Sequence, residues 1–279
     1  MKTIYAKEIV EAVKKICMDA NYDLEEDVLE AFRKGKESEE SPTGRAILEL
    51  LEENAKIARE EKVPMCQDTG TAVFFVELGQ EVHIEGGLLT DAINEGVRQG
   101  YGEGYLRKSI CDPFTRKNTG DNTPAVIHVE LVAGEKFKIT VAPKGGGSEN
   151  MSRVTMLRPA DGVEGIKKFV VQRSLEMGPD PCPPVIIGVG IGADFEYAAI
   201  LAKKALLRPL GTRNPAPELA RLEDELLEEV NNLGIGPQGF GGRIFCLGVY
   251  IIKHPCHIAS LPLAVNVNCH ASRHKEIEL

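Results

Sequence analysis

The chain has 279 residues, of which 43% are hydrophobic and 27% charged, and its formal net charge is -9. This is the composition of a globular protein with a substantial core, and an acidic balance with no long basic run argues against nucleic acid as a partner. No stretch approaches the roughly 20 apolar residues of a membrane helix, and the N-terminus has neither a signal core nor an Arg-rich transit character. A cytoplasmic protein with no membrane partner is therefore expected.

The first sixty residues read as helices. Ile9, Val13, Ile16 and Cys17 recur at helical spacing in Tyr5–Ala20, and Val28, Leu29 and Phe32 do so in Asp23–Lys36. Ser41-Pro42-Thr43 is a start signal for a third helix, reaching to about Glu61. Val63-Pro64-Met65-Cys66-Gln67-Asp68-Thr69-Gly70 is a polar turn, and it leads into an apolar strand over Thr71–Leu78. A helix is expected over Gly86–Gly100. Ala125–Val132 and Lys136–Val141 follow as two strands, split by Ala133-Gly134-Glu135 and read as a hairpin. Three glycines at 145–147 form a loop. The rest alternates: helix Asp161–Met177, buried strand Pro184–Gly190, helices Ala193–Leu207 and Pro217–Leu233, and strands Gly241–Ile252 and Leu261–Asn268. The fold class is α/β, with N-terminal helices (about 1–62) followed by a mixed β-sheet layered with helices (about 63–279). No composition break demands more than one domain over 1–279.

Seven cysteines at wide spacings argue against a disulfide framework and for buried thiols plus a few ligands. Cys66, Cys182 and Cys269 lie in loops beside apolar strands with polar neighbours, whereas Cys17 and Cys246 look structural. There is no CxxC pair, so the three could equally be small buried hydrophobes. Three thiolates have a specific meaning if they do converge. A cubane iron–sulfur cluster held by three cysteines keeps an open iron that can act as a Lewis acid.

Lys144-Gly145-Gly146-Gly147-Ser148-Glu149-Asn150 could let backbone amides approach an anion, though it lacks P-loop spacing and also reads as a flexible turn. Gly188-Val189-Gly190-Ile191-Gly192 faintly suggests a dinucleotide loop, but its spacing fails and tight strand-to-helix packing explains it better. His257 stands at a strand entry, where it could orient a carboxylate. Arg107 could pair bidentately with one. Both also read as ordinary surface or core residues. A zinc hydrolase is disfavoured, since there is neither HExxH nor paired CxxC.

Taken together, Cys66-Gln67-Asp68-Thr69-Gly70, Asn118-Thr119-Gly120-Asp121-Asn122-Thr123-Pro124-Ala125, the Lys144–Asn150 stretch, Cys182-Pro183-Pro184 and Asn268-Cys269-His270 resemble a known family. It is the α subunit of two-subunit, iron–sulfur-dependent (class I) fumarate hydratases, with the L-tartrate dehydratase α subunit a close relative. The resemblance runs from about residue 10 to the C-terminus in motif order. It implies a [4Fe–4S] cluster on Cys66, Cys182 and Cys269, with Asp68 as catalytic acid. Gln67, Arg107, Gly146 and His257 fall where the family contacts its C4 dicarboxylate. It further implies a hydro-lyase reversibly hydrating fumarate to L-malate. A β subunit would complete the active site and supply the base, with homodimerisation inside an α2β2 assembly. The alternatives are an L-tartrate dehydratase subunit and a non-catalytic iron–sulfur scaffold.

Overall fold

The structure is a computed structural model that describes residues 1–279. Its elements begin with β1 (Lys2–Tyr5), α1 (Ala6–Tyr22), α2 (Glu26–Ser38), α3 (Pro42–Glu61), β2 (Thr71–Gly79), β3 (Val82–Glu85), α4 (Leu89–Glu103), β4 (Val126–Val132) and β5 (Phe137–Lys144). They continue with α5 (Gly146–Asn150), β6 (Arg153–Leu157), α6 (Gly162–Met177), β7 (Val185–Gly192), α7 (Phe195–Ala205), α8 (Pro217–Asn231), β8 (Cys246–His254), β9 (Leu261–Asn268) and β10 (Lys275–Glu278). The expected α/β class is what forms. No helix is long and apolar enough to cross a membrane. The chain makes two compact units that interleave in sequence. The first is Met1–Glu25, Asn54–Gly146 and Arg273–Leu279; the second is Glu26–Glu53 and Gly147–Ser272.

In the first unit a four-stranded sheet runs in the order β10-β5-β2-β4. Its core joins Ile9, Val13 and Ile16 of α1 with Ile93, Val97 and Tyr101 of α4, over Phe74 and Val76 of β2 and Ile139 and Val141 of β5. The helical spacing in α1 is what puts its apolar stripe on that sheet. The two helices cross closely because α4 presents Gly96 and Gly100 to α1. A Cβ on Gly96 would lie 2.6 Å from the Val13 Cβ, and one on Gly100 would lie 2.9 Å from the Lys14 carbonyl.

The expected hairpin does not form. β4 pairs with β2 in parallel and β5 pairs with β2 antiparallel, so β2 sits between the two. The reason is visible at the turn. Residues 133–136 pass over the end of β2, where Gly79 N–H donates to Lys136 O (2.6 Å), Gln80 N–H to Val132 O (2.8 Å) and Glu81 N–H to Gly134 O (3.0 Å). Only a residue without a Cβ tolerates that crossing, since one on Gly79 would meet Gly134 O at 2.3 Å. The strand order thus rests on a contact between the β4–β5 turn and the end of β2, which lies far earlier in the chain. β1 and β3 form a separate parallel pair. The short strands β1, β3, β6 and β10 carry too few residues to stand out from their flanks.

The second unit carries a four-stranded sheet in the order β6-β9-β7-β8. β7 is buried along its whole length, as its apolar run requires. On one face α6 and α8 bring Ile166, Val170, Leu222, Leu226 and Val230 into a shared core with Ile187, Val189, Val249 and Val265. On the other face α7 lies so close that a Cβ on Gly188 would meet Ala202 O at 2.1 Å and one on Gly190 would meet Ala198 O at 2.0 Å. The glycines of 188–192 are therefore packing residues. α4 starts later than expected because Gly86 and Gly87 turn with positive φ (85° and 158°), and Gly241 and Gly242 likewise lie outside β8.

Candidate functional site

The turn that precedes β2 is held from several sides. Met65 N–H donates to Asn21 O (3.0 Å) and the Asn54 amide donates to Met65 O (2.8 Å). The Arg273 guanidinium donates to Asp68 O (2.6 Å) and the buried Thr69 hydroxyl donates to Arg107 O (3.0 Å). The Tyr101 hydroxyl lies 2.8 Å from Thr69 O and 3.1 Å from Gly70 O, and the Asn122 amide donates to Gly70 O (3.1 Å). Tyr101 and Asn122 are fully buried, and burial pushes the Tyr101 phenol up so that it stays a donor. Gly70 takes φ +77°, and a Cβ there would meet Lys144 N at 2.7 Å. The polar turn is thus a rigid support for its side chains.

Asp68 is half-buried, and both its oxygens are occupied. Oδ1 accepts from Gly70 N–H (3.0 Å) and Oδ2 from Gly146 N–H (2.7 Å). Two residues picked from separate motifs, 78 positions apart, are therefore in direct contact. The Gly146 amide, expected to contact substrate, donates to Asp68 Oδ2 in this structure. Gln67 and Arg107 are exposed, and neither side chain makes a hydrogen bond or ion pair. Arg107 is tied to the turn through its carbonyl, which leaves the guanidinium available.

The cysteines fall into two classes. Cys17 and Cys246 are buried in the cores, where loss of solvent pushes each thiol up, Cys246 to about 12. Cys66 and Cys269 are half-buried and Cys182 is exposed, and no cysteine is in a disulfide. Cys182 holds φ +56°, a conformation that a non-glycine residue keeps only when its surroundings enforce it. Its N–H donates to Pro179 O (3.0 Å), and its carbonyl accepts from His270 N–H (3.3 Å) and from His270 Nδ1 (3.1 Å). Gln238 fixes the next residue, with its backbone N–H (2.9 Å) and its side-chain amide (2.5 Å) both donating to Pro183 O. The loops of Cys182 and Cys269 are therefore stitched together through His270.

This donor set suits a thiolate-bound cluster chemically: three thiols outside the apolar cores, two of them on joined loops. No group of three or more His, Cys, Asp or Glu side chains is gathered as a metal site. His257 is exposed in the loop between β8 and β9, and its Nδ1 accepts from Ala259 N–H (3.1 Å). In the neutral ring Nε2 then carries the proton. Glu149 of the glycine motif anchors α5, through Lys203 Nζ (2.5 Å) and the Asn266 amide (2.9 Å).

Sequence reasoning missed Tyr101, Asn21, Asn54, Arg273 and Gln238. None has a local signal. Asn122 lies in the Asn118–Ala125 motif, where nothing local assigns it a role, and only its burial against Gly70 reveals one.

Comparison with known proteins finds matches over most of the chain. Residues 10–278 match the family model described as fumarate hydratase (Fumerase). A Methanocaldococcus jannaschii protein provisionally named L(+)-tartrate dehydratase subunit alpha is 41% identical over 271 residues, covering 95% of each chain. The L(+)-tartrate dehydratase subunit alpha of Escherichia coli strain K12 is 35% identical over 254 residues, 90% of this chain and 84% of its own. That of strain UTI89 is 36% identical over the same shares.

Proposed function

Because the chain belongs to the fumarate hydratase (Fumerase) family, we propose that it is the α subunit of a hydro-lyase acting on a C4 dicarboxylate, with reversible hydration of fumarate to L-malate as its reaction. The observation that carries this reading is Asp68, clamped at both oxygens by backbone amides on a rigid turn beside Cys66. A carboxylate fixed in this way is suited to moving one proton at a defined place.

Cys66, Cys182 and Cys269 would hold a [4Fe–4S] cluster as thiolates. When bound, the cluster supplies a Lewis-acidic iron with an open position for substrate oxygen. Each Asp68 oxygen accepts one N–H and keeps lone-pair capacity for a proton. In hydration Asp68 takes the proton of the attacking water; in dehydration it returns that proton to the departing hydroxyl. Arg107 pairs with a substrate carboxylate, and Gln67 offers it an amide donor. His257 presents Nε2–H to the second carboxylate. Gly146 is a positioning residue that acts through Asp68. The proton on the neighbouring carbon goes to a base on a complementary β subunit, in an α2β2 assembly where two α chains meet. This chain alone turns over substrate poorly.

The test is Asp68→Asn in the chain co-expressed with its β-type subunit, assayed anaerobically on malate and fumarate. A fall in kcat of at least ~100-fold is expected, with iron content unchanged; activity within threefold of wild type would remove Asp68 from the mechanism. The names of the relatives favour a second reading, L(+)-tartrate dehydration. The same preparation assayed on L(+)-tartrate decides between the two by the larger kcat/KM.

A further inference from the structure

The sheet of the first unit has two edges, and they are built differently. β10 is a four-residue strand, Lys275-Glu276-Ile277-Glu278, blunted by charge. β4 is seven residues long, Val126-Ile127-His128-Val129-Glu130-Leu131-Val132, with no proline or lysine. It pairs with β2 on one side only, and Val126, Val129 and Leu131 are 43%, 47% and 74% exposed. Long apolar edges are normally blunted or covered, because their backbone groups invite another strand.

The strand is complementary to itself about its midpoint. Pairing antiparallel with a second copy around a two-fold axis at Val129 sets Val126 against Val132, Ile127 against Leu131 and Val129 against Val129. It also sets His128 against Glu130, twice. Centring on His128 opposes two histidines and buries Glu130 against Val126, while centring on Glu130 opposes two carboxylates, which is unfavourable. The register of β4 on β2 sets Ile127, Val129 and Leu131 beside Phe74, Val76 and Leu78. Phe74 and Val76 are buried, so the midpoint register carries the apolar layer from one copy into the next. His128, stacked on Phe75 at 5.1 Å between ring centroids, lies on the opposite face with Glu130.

We propose that β4 is the strand through which two copies of this chain join, antiparallel and centred on Val129, merging two four-stranded sheets into one. This deepens the homodimer reading above and rests on it; the contact is isologous, as a two-fold dimer requires.

The test uses the full chain co-expressed with its β-type subunit, under mild oxidation with oxidised glutathione. Val129→Cys places two thiols across the axis, with Cα atoms about 4.5–5.5 Å apart, within disulfide reach. Glu130→Cys puts its two copies on a diagonal of about 8 Å, beyond that reach. The expected result is an α–α disulfide species for Val129→Cys and none for Glu130→Cys or wild type. Leu131→Lys should raise the α–α dissociation constant at least tenfold by light scattering. If α chains self-associate but Val129→Cys cross-links no better than Glu130→Cys, the β4 pairing is overturned while the dimer stands. If no α–α association is seen up to about 100 µM, both fall, and the hydro-lyase reading still answers to Asp68→Asn.

Discussion

Gly146 offers a way to disturb Asp68 without touching it. Its N–H donates to Asp68 Oδ2 at 2.7 Å, a length typical of a charge-assisted hydrogen bond. Gly146 is the first residue of α5, a position where proline is well tolerated and contributes no N–H. Gly146→Pro therefore deletes one donor and keeps the helix start. Gly146→Ala is the matched control, because its Cβ would have Asp68 Oδ2 as its only neighbour within 4 Å, at 3.8 Å, and the N–H stays. A hydrogen bond to a charged group is worth about 1.5–3 kcal/mol. If that energy holds Asp68 in its working geometry, kcat should fall by roughly 10- to 150-fold in Gly146→Pro. It should stay within about threefold in Gly146→Ala. The assay is steady-state malate dehydration and fumarate hydration by the reconstituted complex, with iron content and melting temperature measured alongside. Equal losses in both variants, or no loss in Gly146→Pro, would refute the clamp as a working part of the site.

Two further predictions concern the scaffold. Glu39 is fully buried, and its oxygens accept from Ser41 N–H (2.9 Å), Arg243 N–H (2.9 Å to each oxygen) and Ile244 N–H (2.7 Å). Burial pulls its carboxyl upward, but these backbone donors outweigh it and hold it below the usual glutamate range. Glu39→Gln turns one acceptor into a donor facing buried N–H groups, at a cost of about 2–4 kcal/mol seen in urea titration. Since the folded value lies below the unfolded one, the Glu39 contribution is complete above the ordinary carboxyl range near ~4.3. It fades as pH falls through the folded value, and this part of the acid sensitivity should vanish in the variant. An unchanged acid profile would count against the assignment. Gly190→Ala should cost at least ~2 kcal/mol, because its Cβ would lie 2.0 Å from the Ala198 carbonyl and force α7 off β7; a melting temperature within 1 °C of wild type would contradict that packing.

What the sequence determined by itself was whatever depends on neighbours in the chain. The apolar run of β7 announced burial on both faces, β9 matched its expected span, and the helical stripe of α1 marked its core face. Cys66-Gln67-Asp68-Thr69-Gly70 was recognisable as a polar turn before a strand because glycine and the change of hydrophobic pattern are local signals. Tertiary structure alone decided the rest. Whether β4 and β5 paired with each other depended on a turn crossing Gly79, and the exchange of one neighbour for another leaves no trace in strand composition. Asp68 met the Gly146 amide across 78 residues and Arg273 across 205. Which groups meet in this way is set by the packed chain and not by sequence proximity: the Arg273 guanidinium satisfies a carbonyl of the turn, and the exposed Gly146 amide meets a carboxylate from a distant segment.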